Sequence, residues 1–166
     1  MAPEVVAVGI GEIKVSARHD VTLVAYGLGS CIGVVVWDPD RRVGGLAHVV
    51  LPDSSIGLGR DGVSQPERFA DTGIPLLLQA VERLGALRQS LRAKIAGGAK
   101  MFVTPTASDV LDIGGRNAKA VKEALAEAQV PLVAEDIGGT VGRTMRFIPG
   151  QGRVFVRTLG MKEREL

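Results

Sequence analysis

Cys31-Ile32-Gly33-Val34-Val35-Val36-Trp37-Asp38 is followed by Pro39-Asp40-Arg41 and then by Gly45-Leu46-Ala47-His48-Val49-Val50-Leu51. This stretch decides the fold class. The first run is rich in β-branched residues, which suit a buried strand. Asp38-Pro39-Asp40-Arg41 is turn chemistry, with Pro at the second position of a type I turn. The second run is the return strand, stopped by Pro52. Upstream, Val5 to Ile10, Glu12 to Ala17 and Val21 to Tyr26 read as further strands, separated by Gly9, Gly11 and the break Gly27-Leu28-Gly29-Ser30.

Downstream the pattern becomes mixed. Residues 53–68 are polar and Gly-rich and read as a loop. Phe69 to Leu87 carries Ile74, Leu77, Leu78, Val81 and Leu84 at helical spacing, with Pro75 expected in the first turn. Ala93 to Ala99 reads as a strand entering a glycine bend. Asn117 to Gln129 reads as a second helix, with Asn117 as its N-cap and Pro131 beyond its end. Leu132 to Asp136, Thr144 to Ile148 and Val154 to Leu159 read as strands, the last two joined through Pro149-Gly150-Gln151-Gly152. Repeats, linkers and low-complexity tracts are absent, so one α+β domain over residues 1–166 is expected.

Composition narrows the function. The 166 residues are 46% hydrophobic and 23% charged, an ordinary globular balance that excludes a disordered chain. The net charge is +2, with both signs interspersed, and aromatics make up only 4%. Neither points to nucleic acid. One cysteine cannot form an internal disulfide, and two histidines with it are too few for an ordinary structural zinc site. No signal peptide, membrane span or lipidation motif is read, so a cytoplasmic protein is expected.

The chemistry centres on Cys31 and His48. Cys31 follows two glycines that let a substrate approach main-chain N–H groups, and Gly29, Ser30 and Cys31 are the candidate backbone donors of an oxyanion site. Hairpin geometry ties His48 to the thiol. A turn centred between Pro39 and Asp40 puts Cys31 and His48 directly opposite, with Cβ atoms roughly 4.5–5.5 Å apart. A centre one residue later makes them diagonal on one face. A centre on Asp40 itself sends them to opposite faces. An adjacent imidazole would lower the thiol pKa from about 8.5 and then protonate a leaving amine. Such pairs perform acyl transfer on amides or esters. The bland alternative is a small buried thiol and a hydrogen-bonded core histidine.

Rival motifs fail on mechanism. Gly27-Leu28-Gly29-Ser30-Cys31-Ile32-Gly33 departs from a dinucleotide fingerprint, and a strand rather than a helix follows it. Gly97-Gly98-Ala99-Lys100 lacks the other residues of a phosphate loop.

Gly27-Leu28-Gly29-Ser30-Cys31 with Leu46-Ala47-His48-Val49-Val50-Leu51-Pro52-Asp53-Ser54 resembles the CheD family of chemoreceptor glutamine deamidases. Gly9-Ile10-Gly11-Glu12, Phe69-Ala70-Asp71-Thr72, Lys94-Ile95-Ala96-Gly97-Gly98-Ala99, Met101-Phe102, Ile113-Gly114-Gly115-Arg116-Asn117 and Ala134-Glu135-Asp136-Ile137-Gly138-Gly139 agree. The resemblance spans residues 5–160. It implies a layered α+β fold with a β-sandwich core, similar to the deamidase domain of cytotoxic necrotizing factor toxins. It implies conversion of receptor glutamines to glutamates with release of ammonia and no cofactor, with Cys31 as nucleophile and His48 as base and acid. Receptor methylesterase activity is credited to some members. The partners implied are chemoreceptor cytoplasmic helices and a CheC-type phosphatase that binds over the active-site face, with Phe102 at a position implicated in that contact. No nucleic acid and no membrane insertion are expected.

One departure stands out. The family has Thr six residues before the nucleophile, where this chain has Ala25. Thr22 is at an odd offset from that position and would point to the other face. The expectation is that the Ala25 backbone carbonyl orients His48. A regulatory binding module with little catalysis is the rival reading, and Ala25 is the feature that favours it.

Overall fold

A computed structural model describes residues 2–59, 62–101 and 112–166. The quoted stretch is a hairpin of β4 (Ile32–Asp38) and β5 (Val43–Val49), and all fourteen of its strand residues are buried. It sits inside a five-stranded sheet with β2 (Ile13–Ser16), β8 (Arg92–Gly97) and β9 (Leu132–Ile137), in the order β2-β5-β4-β8-β9. A second five-stranded sheet contains β1 (Glu4–Ala7), β3 (Val21–Leu28), β10 (Arg143–Ile148), β11 (Arg153–Thr158) and β12 (Arg164–Glu165), in the order β1-β3-β10-β11-β12. A small pair, β6 (Leu58–Gly59) and β7 (Gly62–Val63), lies in the stretch expected to be loop.

Alternation along the hairpin builds three layers. Ile32, Val34, Val36, Val43, Ala47 and Val49 face the helices α1 (Ala70–Arg83) and α2 (Ile113–Glu127). Val35, Trp37 and Leu46 face the other sheet, where they meet Leu23, Ala25, Met145, Phe147 and Val156. Both faces of the hairpin are therefore covered, which is why β4 and β5 lack a solvent-facing polar side. At Gly44 a Cβ would come within 2.6 Å of the Phe147 ring, so only glycine admits the second sheet at this spacing. The layered α+β sandwich expected from the sequence is the architecture observed.

Several local expectations change. Pro75 lies in the second turn of α1, because that helix starts at Ala70. The second helix starts four residues before Asn117, at Ile113, and is capped by Asp112, whose carboxylate accepts from the Gly115 N–H at 2.9 Å. The crossover from β8 through α2 returns to β9 in parallel.

The hairpin turn is one residue later than the Pro39-Asp40 centre. Asp38 pairs with Val43, which centres the loop between Asp40 and Arg41. Arg42 takes a left-handed φ of 56°, and its N–H returns to the Asp38 carbonyl at 2.8 Å. The fully buried Asp38 carboxylate organises this loop. It accepts from the N–H groups of Asp40 (3.0 Å), Arg41 (3.1 Å) and Leu87 (2.9 Å), and from the Arg41 guanidinium (3.2 Å). Burial alone would raise its pKa, but these donors outweigh burial and hold it below the ordinary carboxylate value. The stabilisation is complete above about pH 4 and is lost as pH falls through the depressed folded value. Asp38→Ala is expected to destabilise the protein by about 2–4 kcal/mol in urea unfolding at neutral pH. A change below about 0.5 kcal/mol would contradict this role.

Among the described residues no helix is long and apolar enough to cross a membrane.

Candidate active site

Cys31 lies one residue before β4, half-buried, where the strand leaves the loop Gly29-Ser30. Ile32 pairs with Val49 and Gly33 with His48. Continued by one residue, this register makes Cys31 and His48 diagonal on the face toward the second sheet, rather than directly opposite. Diagonal neighbours sit roughly 7–8 Å apart, within reach of an imidazole. Both side chains are on the expected face: Cys31 packs against the cluster of Val35 and Leu46, and His48 follows Leu46 in strand alternation.

His48 is 2% exposed. Its main chain is fixed on both sides, by the His48 N–H to the Glu12 carbonyl and by the Gly11 N–H to the His48 carbonyl, each at 3.0 Å. Its Nδ1 lies 3.1 Å from the Val8 carbonyl. A carbonyl can only accept, so Nδ1 carries the proton and donates it, which leaves Nε2 with a lone pair. Among the described residues Nε2 has no hydrogen-bond partner. The expected orienting carbonyl of Ala25 is thereby replaced by that of Val8. The reason is topological. Just beyond β1 the chain continues alongside β3, with the Val8 N–H on the Val24 carbonyl at 2.8 Å, and this aims the Val8 carbonyl at the imidazole. Ala25 is fully buried opposite Met145 and contributes a methyl group to the core between the sheets.

Desolvation pushes the His48 pKa down; the Val8 hydrogen bond and the charge of Glu12 pull the other way without cancelling it. The imidazole is therefore neutral near pH 7. Burial pushes the Cys31 thiol up, offset only in part by the Arg68 guanidinium and by its own backbone. Cys31 is thus a neutral thiol and His48 a neutral imidazole, with no hydrogen bond between them, not the low-pKa thiolate expected from the sequence.

The three backbone donors expected at the oxyanion site divide. The Gly29 N–H is already committed to the Gly27 carbonyl at 3.0 Å, which withdraws it. Among the described residues the N–H groups of Ser30 and Cys31 make no hydrogen bond to another residue, and the Cys31 N–H lies toward its own thiol. The loop around them is held by its carbonyls. Ala99 N–H donates to Gly29 at 2.8 Å, and Gly98 N–H donates to Cys31 at 2.9 Å. This requires the backbone of Gly97 to press against Cys31. Its φ is +118°, and a Cβ there would collide with the Cys31 carbonyl.

The fully buried Asn117 amide supplies the third anchor, to the Ser30 carbonyl at 2.9 Å and to the Val50 carbonyl at 2.8 Å. Reading Asn117 as an N-cap missed this role. The signal was available: Asn117 stands one turn before Val121 on the buried stripe of α2. Beside the Cys31 loop the exposed Met101 lies against Gly29. Phe102 lies outside the described residues.

Comparisons with known proteins show the family of the chain. The family described as CheD chemotactic sensory transduction matches residues 50–158. A Symbiobacterium thermophilum protein named probable chemoreceptor glutamine deamidase CheD is 51% identical over 160 residues, covering 96% of both chains. A Clostridium botulinum protein of the same name is 46% identical over 161 residues, covering 97% of both. The crystal structure of Neisseria meningitidis protein NMB0706 superposes with a TM-score of 0.53 at 10% identity, over 84% of this chain and 65% of that one, and supports the fold alone.

Proposed function

The chain belongs to the CheD family, and on that footing we propose that it is a protein-glutamine deamidase acting on chemoreceptors. The observation that carries the reading is His48: a buried imidazole on the face that holds Cys31, with Nδ1 engaged by Val8 and Nε2 left without a partner among the described residues. Relatives covering nearly the whole chain bear the name of that activity.

In the proposed mechanism a receptor glutamine presents its side-chain carboxamide to Cys31. The sulfur–carbon bond forms as the thiol proton passes to Nε2, and the carbonyl π pair moves onto oxygen. The N–H groups of Ser30 and Cys31 stabilise that oxyanion, a contribution of about 3–4 kcal/mol for a well-aimed donor. His48 gives its proton to the leaving nitrogen, the carbon–nitrogen bond breaks, and ammonia departs. Water, deprotonated by His48, attacks the thioester, yielding glutamate and restoring the thiol. No step needs a cofactor. The substrate is a cytoplasmic receptor helix, and the exposed apolar Met101 beside Gly29 suits such a surface. A CheC-type phosphatase docks over the same face. The protein acts in the cytoplasm without nucleic acid.

The raised thiol and the missing hydroxyl at Ala25 favour a second reading, a regulatory binding module that turns over little substrate. One experiment separates the readings, a third among them being a receptor methylesterase. Folded receptor fragments carrying glutamine, and others carrying methylated glutamate, are incubated with the protein while ammonia and methanol are assayed. Ammonia release from the glutamine fragment is expected. Methanol alone would make the protein an esterase, and neither product would make it a binding module.

A further inference from the structure

We propose that Asn117 is the positioning residue that aims the Cys31 N–H at the oxyanion; the inference rests on the deamidase reading above. A trans peptide holds its C=O and N–H pointing in opposite directions within one rigid plane, and no cis bond occurs among the described residues. The Ser30 carbonyl and the Cys31 N–H share such a plane. Asn117 Nδ2 grips that carbonyl at 2.9 Å and so fixes the N–H on the opposite side, where it bonds no other described residue.

The flanking planes are held by backbone donors, from Ala99 and Gly98. The plane that carries the Cys31 donor is the one held by a side chain. The second Nδ2 hydrogen reaches the Val50 carbonyl at 2.8 Å. The β4–β5 ladder stops at Ile32 and Val49. One residue further, where the two strands open around the nucleophile, Asn117 bridges them instead. Both acceptors are carbonyls, so the amide orientation follows from the bonding itself.

The position is held against local stability. Asn117 Oδ1 is buried without a partner among the described residues, and an unpaired buried amide oxygen is unfavourable. Its neighbours on the buried stripe of α2 are Gly114, Ala118, Val121 and Leu125. A leucine of nearly the same shape would satisfy packing there and leave no orphan. An asparagine with both hydrogens spent on the two strand ends beside Cys31 is explained by the site and not by the core.

The test compares wild type with Asn117→Leu and Asn117→Ala on a glutamine-bearing receptor fragment. Alongside turnover, the rate of Cys31 alkylation by iodoacetamide is followed against pH, a reaction that forms no oxyanion. For Asn117→Leu the expected result is a fall in kcat of about 100-fold with KM within about twofold, while the alkylation profile matches wild type. Asn117→Ala, which leaves a cavity, should show the same split if it folds by circular dichroism. Asn117→Leu with kcat within about threefold of wild type would overturn the proposal. So would a parallel loss of alkylation, which would show that the thiol itself had been displaced. Wild-type protein that releases no ammonia overturns the deamidase reading, and that arm is read separately from the variants.

Discussion

Cys31→Ala is expected to abolish ammonia release from a receptor fragment, a loss of at least about 10⁴-fold in kcat/KM. Every bond-making step of the proposed reaction passes through the sulfur, and no other cysteine can substitute for it, because Cys31 is the only one in the chain. The fold should survive. The thiol is half-buried at the mouth of β4, and the anchors of its loop are backbone groups and Asn117, none of which the substitution removes. A shift in stability of no more than about 1 kcal/mol is expected. Residual turnover above about one part in a hundred of wild type would show that water attacks the carboxamide directly, with Cys31 a spectator.

His48→Gln should lower kcat/KM by about 1,000-fold, because glutamine fills similar space but has no nitrogen that can take the thiol proton at neutral pH. The pH profile carries the sharper test. Burial depresses the His48 pKa, so the basic form prevails at neutral pH. Wild-type kcat/KM should therefore climb through a single limb centred below about pH 6.5 and be level at pH 7. The variant should lack that limb. By the same sign the fold loses stability as pH drops below about 6.5, since the unfolded chain then binds a proton that buried His48 resists. An alkaline limb centred above pH 7, with activity falling as an imidazolium loses its proton, would instead indicate an imidazolium stabilised by a resting thiolate, the opposite of the pair described here.

The hairpin was readable from sequence because β-branched runs on both sides of Asp38-Pro39 leave few alternatives. Its register was not, because the turn depends on the Asp38 carboxylate collecting three N–H groups, one of them from Leu87, forty-nine residues away. That Cys31 and His48 lie on one face was legible, because a turn centred one residue later keeps them diagonal on that face. The group that orients His48 was not: Val8 comes near only once the first strand aligns with β3, and the sequence nearby gives no sign of that pairing. Asn117 was misjudged for a different reason. Its chemistry suits a helix start, but Asp112 occupies that role, and burial on the α2 stripe gives the amide another task. The Gly97-Gly98 bend was visible as glycine without showing that its partner would be the Cys31 backbone.

The most direct measurement is mass-spectrometric mapping of a folded chemoreceptor cytoplasmic fragment after incubation with wild type and with Cys31→Ala. The expected result is conversion of particular glutamines to glutamate by the wild-type protein and none by the variant. Unchanged glutamines in both samples, or equal conversion in both, would contradict a Cys31-dependent deamidase.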